Sequence, residues 1–342
     1  MMSRRMIAWL FGLTALSLTS CGSRAGPIKT VVVYSALDRE FAGPILEQYS
    51  KATKVATPVK FDVESTKTVG LVNLIIAEAP APRCDLFWNN EILNTIRLSE
   101  KGLLARFEPA NAGLIPDVFK SANGDWYGFA ARARVLLVNT ELLPEKERPH
   151  GIRDLLMPQF RGRTGIAKPL FGTTATHAAC LFAVWGDDRA QSYYRALKAN
   201  GVHVYSGNKQ VALAVGSGEI AVGMTDTDDA MGEVDAGRPV AIIYPDRGSN
   251  ELGTLFIPNT IALVKGSKHR EAAQKLADHL LSPEIEAKLA AGPGAQIPLL
   301  RTGTAVPRVE TPMTVHAMEV DFAQAAQLWN RAAAFLTTEF AE

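Results

Sequence analysis

Residues 31–38 read Val31-Val32-Val33-Tyr34-Ser35-Ala36-Leu37-Asp38, an apolar run that gives way to small and polar residues. Consecutive strand formers without alternation suit a strand buried on both faces, as in a parallel sheet. Asp38 is placed to cap a helix carrying Phe41, Ile45 and Tyr49 on one face, with Pro44 near its first turn. The same order recurs. Residues 59–63 read as a second strand, leading through Glu64-Ser65-Thr66 into a helix with Val69, Val72 and Ile76. Residues 85–88 read as a third, followed through Asn89-Asn90 by a helix with Ile92, Ile96 and Leu98 that Gly102 ends. Strand–helix units in series predict a parallel sheet covered on both faces.

The pattern returns in the second half. Residues 164–167, 202–205 and 219–224 read as strands. Pro169-Leu170-Phe171-Gly172-Thr173-Thr174 opens a helix ending near Trp185-Gly186, and Ser206-Gly207-Asn208 opens another through Val211, Leu213 and Val215. Residues 128–139 and 252–264 are strand-like and lie between the two series, as crossovers would. Helical patterns cover 269–281, 283–291 and 321–336. The predicted fold class is α/β: two doubly wound lobes joined by crossover strands, with a ligand cleft between them. Lobe 1 takes 28–131 with 254–305, and lobe 2 takes 132–253 with C-terminal helices in 306–342.

The amino terminus has a different character. Ser3-Arg4-Arg5 precede an uncharged apolar run over 6–18 and then Leu18-Thr19-Ser20-Cys21. A basic start, an apolar stretch and small residues before a cut site predict a signal peptide over 1–20. The run is short for a membrane span, and no later stretch is apolar enough to be one. Cys21 directly after Leu-Thr-Ser resembles the bacterial lipobox, in which the Cys becomes the lipid-modified first residue. Residues 21–27 then form a tether, and the lipid is the expected membrane link. Gly22, rather than Asp, resembles the outward-sorted form of Gram-negative lipoproteins.

Composition narrows the rest. Hydrophobic content of 47% and charged content of 21% fit a globular protein. A net charge of +1, with no basic tract and no zinc-finger spacing, gives no sign of a nucleic-acid partner. Cys84 and Cys180 fall in different lobes and read as buried thiols. Nucleophile-elbow, zinc-protease and phosphate-loop motifs are missing, which lowers the odds of an enzyme, and no cofactor is called for.

In open parallel sheets, ligands bind beyond the carboxyl ends of the strands. That rule selects residues 35–38, 64–67 and 88–91 in lobe 1, and 168–176, 206–209 and 225–229 in lobe 2. Gly172, Thr173 and Thr174 at a helix start offer backbone N–H groups, hydroxyls and a positive dipole end, which suits an anion or ordinary capping equally. Asp226, Asp228 and Asp229 follow an apolar strand; they call for a metal, an ammonium or Arg and Lys partners, or form a solvated helix start. Arg132 and Arg134 alternate on a crossover strand and share a face, fit to grip an anion or to pair with structural acids. Trp88 at a strand end could wall a cationic head, though core packing is the plainer role. His177 and His203 read as satisfied structural residues.

Taken together, several short motifs resemble a known family. They are Val33-Tyr34-Ser35, Cys84-Asp85-Leu86-Phe87-Trp88, Gly102-Leu103-Leu104, Trp126-Tyr127-Gly128-Phe129 running into Arg132-Ala133-Arg134-Val135, and Val211-Ala212-Leu213 before Gly218-Glu219-Ile220. Their order and spacing resemble a periplasmic solute-binding protein of an ABC importer, type 2 fold, in the branch of ferric-iron-binding and 2-aminoethylphosphonate-binding proteins. The resemblance covers nearly all of residues 28–300.

It implies a monomer that closes on a small ligand and hands it to a permease and ATPase. It also implies a site at Asp38, Trp88, Asn90, Arg132, Thr173, Thr174, Asn208, Asp226, Asp228 and Asp229. The iron-binding members use a His, a Glu and two adjacent Tyr. Here those places read Ala36-Leu37-Asp38, Asn90 with Glu91 beside it, and Asp228-Asp229. Carboxylates with an anion pocket suit a zwitterion such as an aminophosphonate. Iron or another hard cation, held by Asp228 and Asp229, is the alternative. A polyamine is third. A lipid-anchored phosphohydrolase and a scaffold lipoprotein are the readings from other classes.

Overall fold

The computed structural model describes residues 29–62, 68–303 and 305–340. The expected signal peptide, Cys21 with its tether, and the loop Glu64-Ser65-Thr66-Lys67 lie outside the described residues.

The first half forms the predicted units: β1 (Val33–Ser35), α1 (Arg39–Thr53), β2 (Val59–Phe61), α2 (Val69–Ala77), β3 (Leu86–Asn89) and α3 (Leu93–Glu100). Strand β1 pairs in parallel with β2 and β3, as continuous burial of its residues requires. A short β4 (Leu104–Ala105) and the long β5 (Trp126–Asn139) follow.

The second half contains β6 (Thr164–Ala167), α4 (Gly172–Trp185), α5 (Asp187–Ala199), β7 (His203–Tyr205), α6 (Asn208–Gly216), β8 (Val222–Asp226), α7 (Thr227–Asp235) and β9 (Val240–Ile243). Strand β10 (Phe256–Val264) and helices α8 (Arg270–Leu280), α9 (Pro283–Ala291) and α10 (Phe322–Phe340) complete the chain. The strand expected at 219–224 starts later and runs on through Asp226, because Gly218 turns the chain at φ 78° before Ile220 and Ala221 enter the core. Helix α5 is an element beyond those expected, and Ala190, Tyr193, Tyr194 and Leu197 bury one of its faces at helical spacing.

The strand order is β2-β1-β3-β10-β5-β8-β6-β7, with β4 on β10 and β9 on β5. Strand β5 is the crossover. It pairs antiparallel with β10 as far as Ala133 and with β8 from Arg134 onward, so Arg132 and Arg134 flank the handover between lobes. All of β5 is buried. Within it Ala130 takes φ 42°, a left-handed conformation costing about 1–2 kcal/mol outside glycine. Opposite, the register of β10 slips between Ile257 and Asn259. Glu286 holds this kink in place, its carboxylate accepting the N–H of Ala130 at 2.9 Å and those of Leu299 and Leu300 at 2.7 and 2.8 Å.

Helix α10 packs on both α4 and α3, and so spans the lobes instead of covering the second alone. Toward α3, the Arg97 guanidinium lies over the Trp329 ring. On the lobe 2 side Phe335 meets Phe182 and Arg331 pairs with Asp187 at 2.9 Å.

Candidate ligand-binding site

The strand-end rule brings the expected residues together. A cavity of about 100 Å³ between the lobes is lined by Asp38, Asn90, Arg132, Thr173, Thr174, Asn208, Asp226, Asp228 and Asp229, with Glu40, Lys168 and Lys209 among the added members. Its size fits a solute of few heavy atoms, well below the roughly 300–1,000 Å³ of drug-sized pockets.

Trp88 is a correction. It is fully buried, its ring 5.6 Å from that of Phe129, and it does not line the cavity. All four residues of β3 are buried and Trp88 turns into the core, while Asn90, directly after the strand, lines the cleft. Glu91 also faces away. Its carboxylate accepts from Leu93 N at 2.7 Å and Asn94 N at 3.0 Å at the start of α3, and from Thr176 Oγ1 of α4 at 2.8 Å.

The helices around the cavity carry two kinds of start. Helices α4 and α6 begin at Gly172 and Asn208 with no acid in the first turn and no side chain capping them. Their leading N–H groups and positive dipole ends suit an anion. Helix α7 instead carries Asp228 and Asp229 in its first turn, and α1 carries Glu40 after Asp38. Asp38 occupies the N-cap position expected of it, without a capping bond from its side chain.

Beneath the cavity lies a hydrogen-bonded network centred on Arg134, whose Nε and Nη2 have no partner among the described residues. Arg134 Nη1 donates to Asp226 Oδ1 at 2.7 Å and to Asn208 Oδ1 at 3.0 Å. Asn208 Nδ2 donates to Thr173 Oγ1 and Asp226 Oδ2, both at 3.0 Å, while the Thr173 hydroxyl donates to Asp226. Thr174 Oγ1 donates to Asn208 Oδ1 at 3.1 Å. Both Thr hydroxyls are thus engaged within the protein.

Arg132 Nε lies 3.5 Å from Asp228 Oδ2 and Nη2 donates to Asn259 Oδ1 at 3.3 Å. Burial opposes its charge, yet Asp228, Asp226, Asp38 and Asp229 together raise its pKa above the ordinary value. Of the two roles the sequence left open, the geometry shows pairing with acids for both arginines; Arg132 also lines the cavity.

His177 in α4 is buried. Desolvation first, and then the Arg134 charge, push its pKa down to about 3, so it is neutral. Its Nδ1 has no hydrogen-bond partner among the described residues, which corrects the expectation of a satisfied histidine. His203 does find one, Nε2 lying 3.1 Å from the Gly162 carbonyl. Cys84 and Cys180 are free and buried, as expected.

This constellation can be set beside known proteins. Residues 87–324 match the family described as bacterial extracellular solute-binding protein. The chain belongs to this family. It is similar to the putative 2-aminoethylphosphonate-binding periplasmic protein of Salmonella typhimurium, 26% identical over 81% of this chain and 80% of that one. It is likewise similar to the major ferric iron-binding protein of Neisseria meningitidis, 24% identical over 82% of this chain and 83% of that one. Iron-bound HitA from Pseudomonas aeruginosa superposes with a TM-score of 0.82 at 24% identity, over 91% of this chain and 99% of that one. That likeness carries the type 2 periplasmic-binding fold. The protein is a solute-binding protein of this branch and not an enzyme, which removes the phosphohydrolase reading.

Proposed function

We propose that this solute-binding protein captures a small zwitterion of the aminophosphonate type for an ABC permease and ATPase. One observation carries the reading. Around one small cavity, the acid-free starts of α4 and α6 offer an anion site, while Asp38 and Glu40 at the start of α1 and Asp229 at the start of α7, beside the Arg132–Asp228 pair, offer a cation site. A ligand with a phosphonate at one end and an ammonium at the other satisfies both. The aminophosphonate-binding relative lends support.

Ferric iron is the second reading. Asp226, Asp228 and Asp229 each offer a carboxylate oxygen within 4.8 Å of the others, and iron-binding relatives exist. Against it, Arg134 and Arg132 already sit on two of these carboxylates, and a trivalent cation would have to displace or repel them. The phenolates that suit Fe³⁺ are replaced.

A thermal-shift screen backed by titration calorimetry separates the two. At 100 times its dissociation constant a ligand stabilises by about 2.7 kcal/mol. We expect that response with 2-aminoethylphosphonate. A response to Fe³⁺ with phosphate, and none to the phosphonate, reverses the assignment. We further propose that Cys21 carries a lipid anchor at the extracytoplasmic face. Cys21→Ala should move the protein from the detergent phase to the aqueous one, and a variant that stays in detergent rejects the anchor.

A further inference from the structure

Lys209 lies in the first turn of α6 and lines the cavity. Its Nζ stands 3.2 Å from Oε1 of Glu40, in the first turn of α1. The pair joins the two lobes at the cavity. The bond to Glu40 and its charge raise the Lys209 pKa most; burial opposes them, and weaker attraction from Asp229 and Asp38 adds to the rise. Asp38 and Asp229 line the same cavity, so an ammonium of the chain itself stands in a cavity walled by carboxylates of α1 and α7. Without a cation there, the acidic starts of these two helices would repel across the cleft. Lys209 and Glu40 are 59% and 57% exposed, so the bond is weak enough to exchange.

We propose that the Lys209 ammonium is the chain's own occupant of the cation end of the site: it pairs with Glu40 across the cleft, in the cavity that Asp38 and Asp229 also line, and competes there with a ligand's ammonium. Lys209 then sets how far the site prefers amino-bearing anions over plain ones, a deepening that rests on the zwitterion reading. With Lys209 present, the acids are partly neutralised and a plain phosphonate is tolerated. With Lys209 removed, the acids repel a plain anion and draw an ammonium more strongly.

The experiment has two arms. In the first, energy transfer between dyes on Gln48→Cys in α1 and Ser192→Cys in α5 reports lobe separation without ligand. At low salt, Lys209→Met and Glu40→Lys should each widen the separation, and the exchange Glu40→Lys with Lys209→Glu should restore it. Separation that is the same in Lys209→Met as in the wild type overturns the bridge.

In the second arm, calorimetry compares 2-aminoethylphosphonate with ethylphosphonate. The affinity ratio should rise in Lys209→Met by about 1.5-fold to fivefold, the scale of one partly exposed ion pair. An unchanged or smaller ratio overturns the competition. Failure of the wild type to bind either phosphonate would reject the zwitterion reading instead, and the ligand-free arm would still decide the bridge.

Discussion

In lobe 2, Thr173, Asn208, Asp226 and Arg134 are bonded to one another beneath the cavity, and Arg134 and Asp226 are almost fully buried. In lobe 1, the cavity is met by Glu40, which is exposed, by a half-buried Asp38 and by Asn90, whose side chain accepts a bond from Thr68 at 2.7 Å. One wall is preorganised, and the other presents charge that can move with its helix. Preorganised donors lose little freedom when a ligand arrives, whereas an exposed acid must be ordered. We therefore expect lobe 2 to hold the ligand's anionic end first and lobe 1 to close over it, pivoting where β5 kinks at Ala130 and β10 slips register.

The severest way to break this contrast is to remove the centre of the buried network. Arg134→Met leaves Asp226 buried without its guanidinium, and such a loss costs about 3–5 kcal/mol. Urea unfolding should register it as a lower midpoint. The double variant Arg134→Met with Asp226→Asn should recover a large part of that loss, since no uncompensated charge then remains. If both variants unfold like the wild type, the wall is not preorganised by this pair. Next in size is Asp229→Asn, which removes one carboxylate from the cation end while sparing the Arg132 and Arg134 pairs. Affinity for 2-aminoethylphosphonate should fall by roughly 2 kcal/mol or more, as when one member of a sheltered charge pair is cut. Ethylphosphonate, which has no ammonium, should lose nothing. An equal loss for both compounds would place the cation end elsewhere.

How much of this was legible beforehand follows from the same contrast. Strands such as β1 and β3 are buried on both faces, so burial wrote itself into the sequence as unbroken apolar runs, and the carboxyl ends of those runs located the cleft. Asp38, Asn90, Thr173, Asn208 and the aspartates could be named because each follows such a run. The direction of a side chain near a strand's end is less legible. Trp88 and Asn90 are two residues apart, and only the point where β3 ends sends one into the core and the other to the cleft. That the arginines and aspartates seek opposite charges is legible, but which residue meets which is not. Arg134 meets Asp226 from 92 residues away, and Lys209 meets Glu40 from 169. Nothing in the local pattern of either residue encodes the other. The double role of α10 was hidden for the same reason, since an amphipathic helix does not record how many elements its apolar face touches.

A gentler probe tests whether lobe 2 uses backbone or hydroxyl groups for the anion. Thr174 donates its hydroxyl to Asn208, so Thr174→Val should disturb Asn208 and leave the N–H groups of α4 in place. The expected loss is about 0.5–1.5 kcal/mol, the net worth of one hydrogen bond, and it should be equal for amino-bearing and plain phosphonates. A loss several times larger in calorimetry would mean that the hydroxyl itself reaches the ligand and that its bond to Asn208 breaks on binding.

The smallest effect belongs to the lobe 1 wall. Glu40→Gln removes a charge that is more than half exposed, and exposed pairs are worth about 0.2–1 kcal/mol. Its affinity change for 2-aminoethylphosphonate should sit at that scale and should vanish by about 1 M salt, where charges more than roughly 3 Å apart are screened. Asp229→Asn, being more sheltered, should keep most of its effect in the same salt series. If the two variants respond to salt alike, both acids stand in open solvent when the ligand is bound, and closure of lobe 1 over a preorganised lobe 2 no longer describes the site. If Glu40→Gln instead outweighs Asp229→Asn, the first lobe carries the cationic end and the order of engagement reverses.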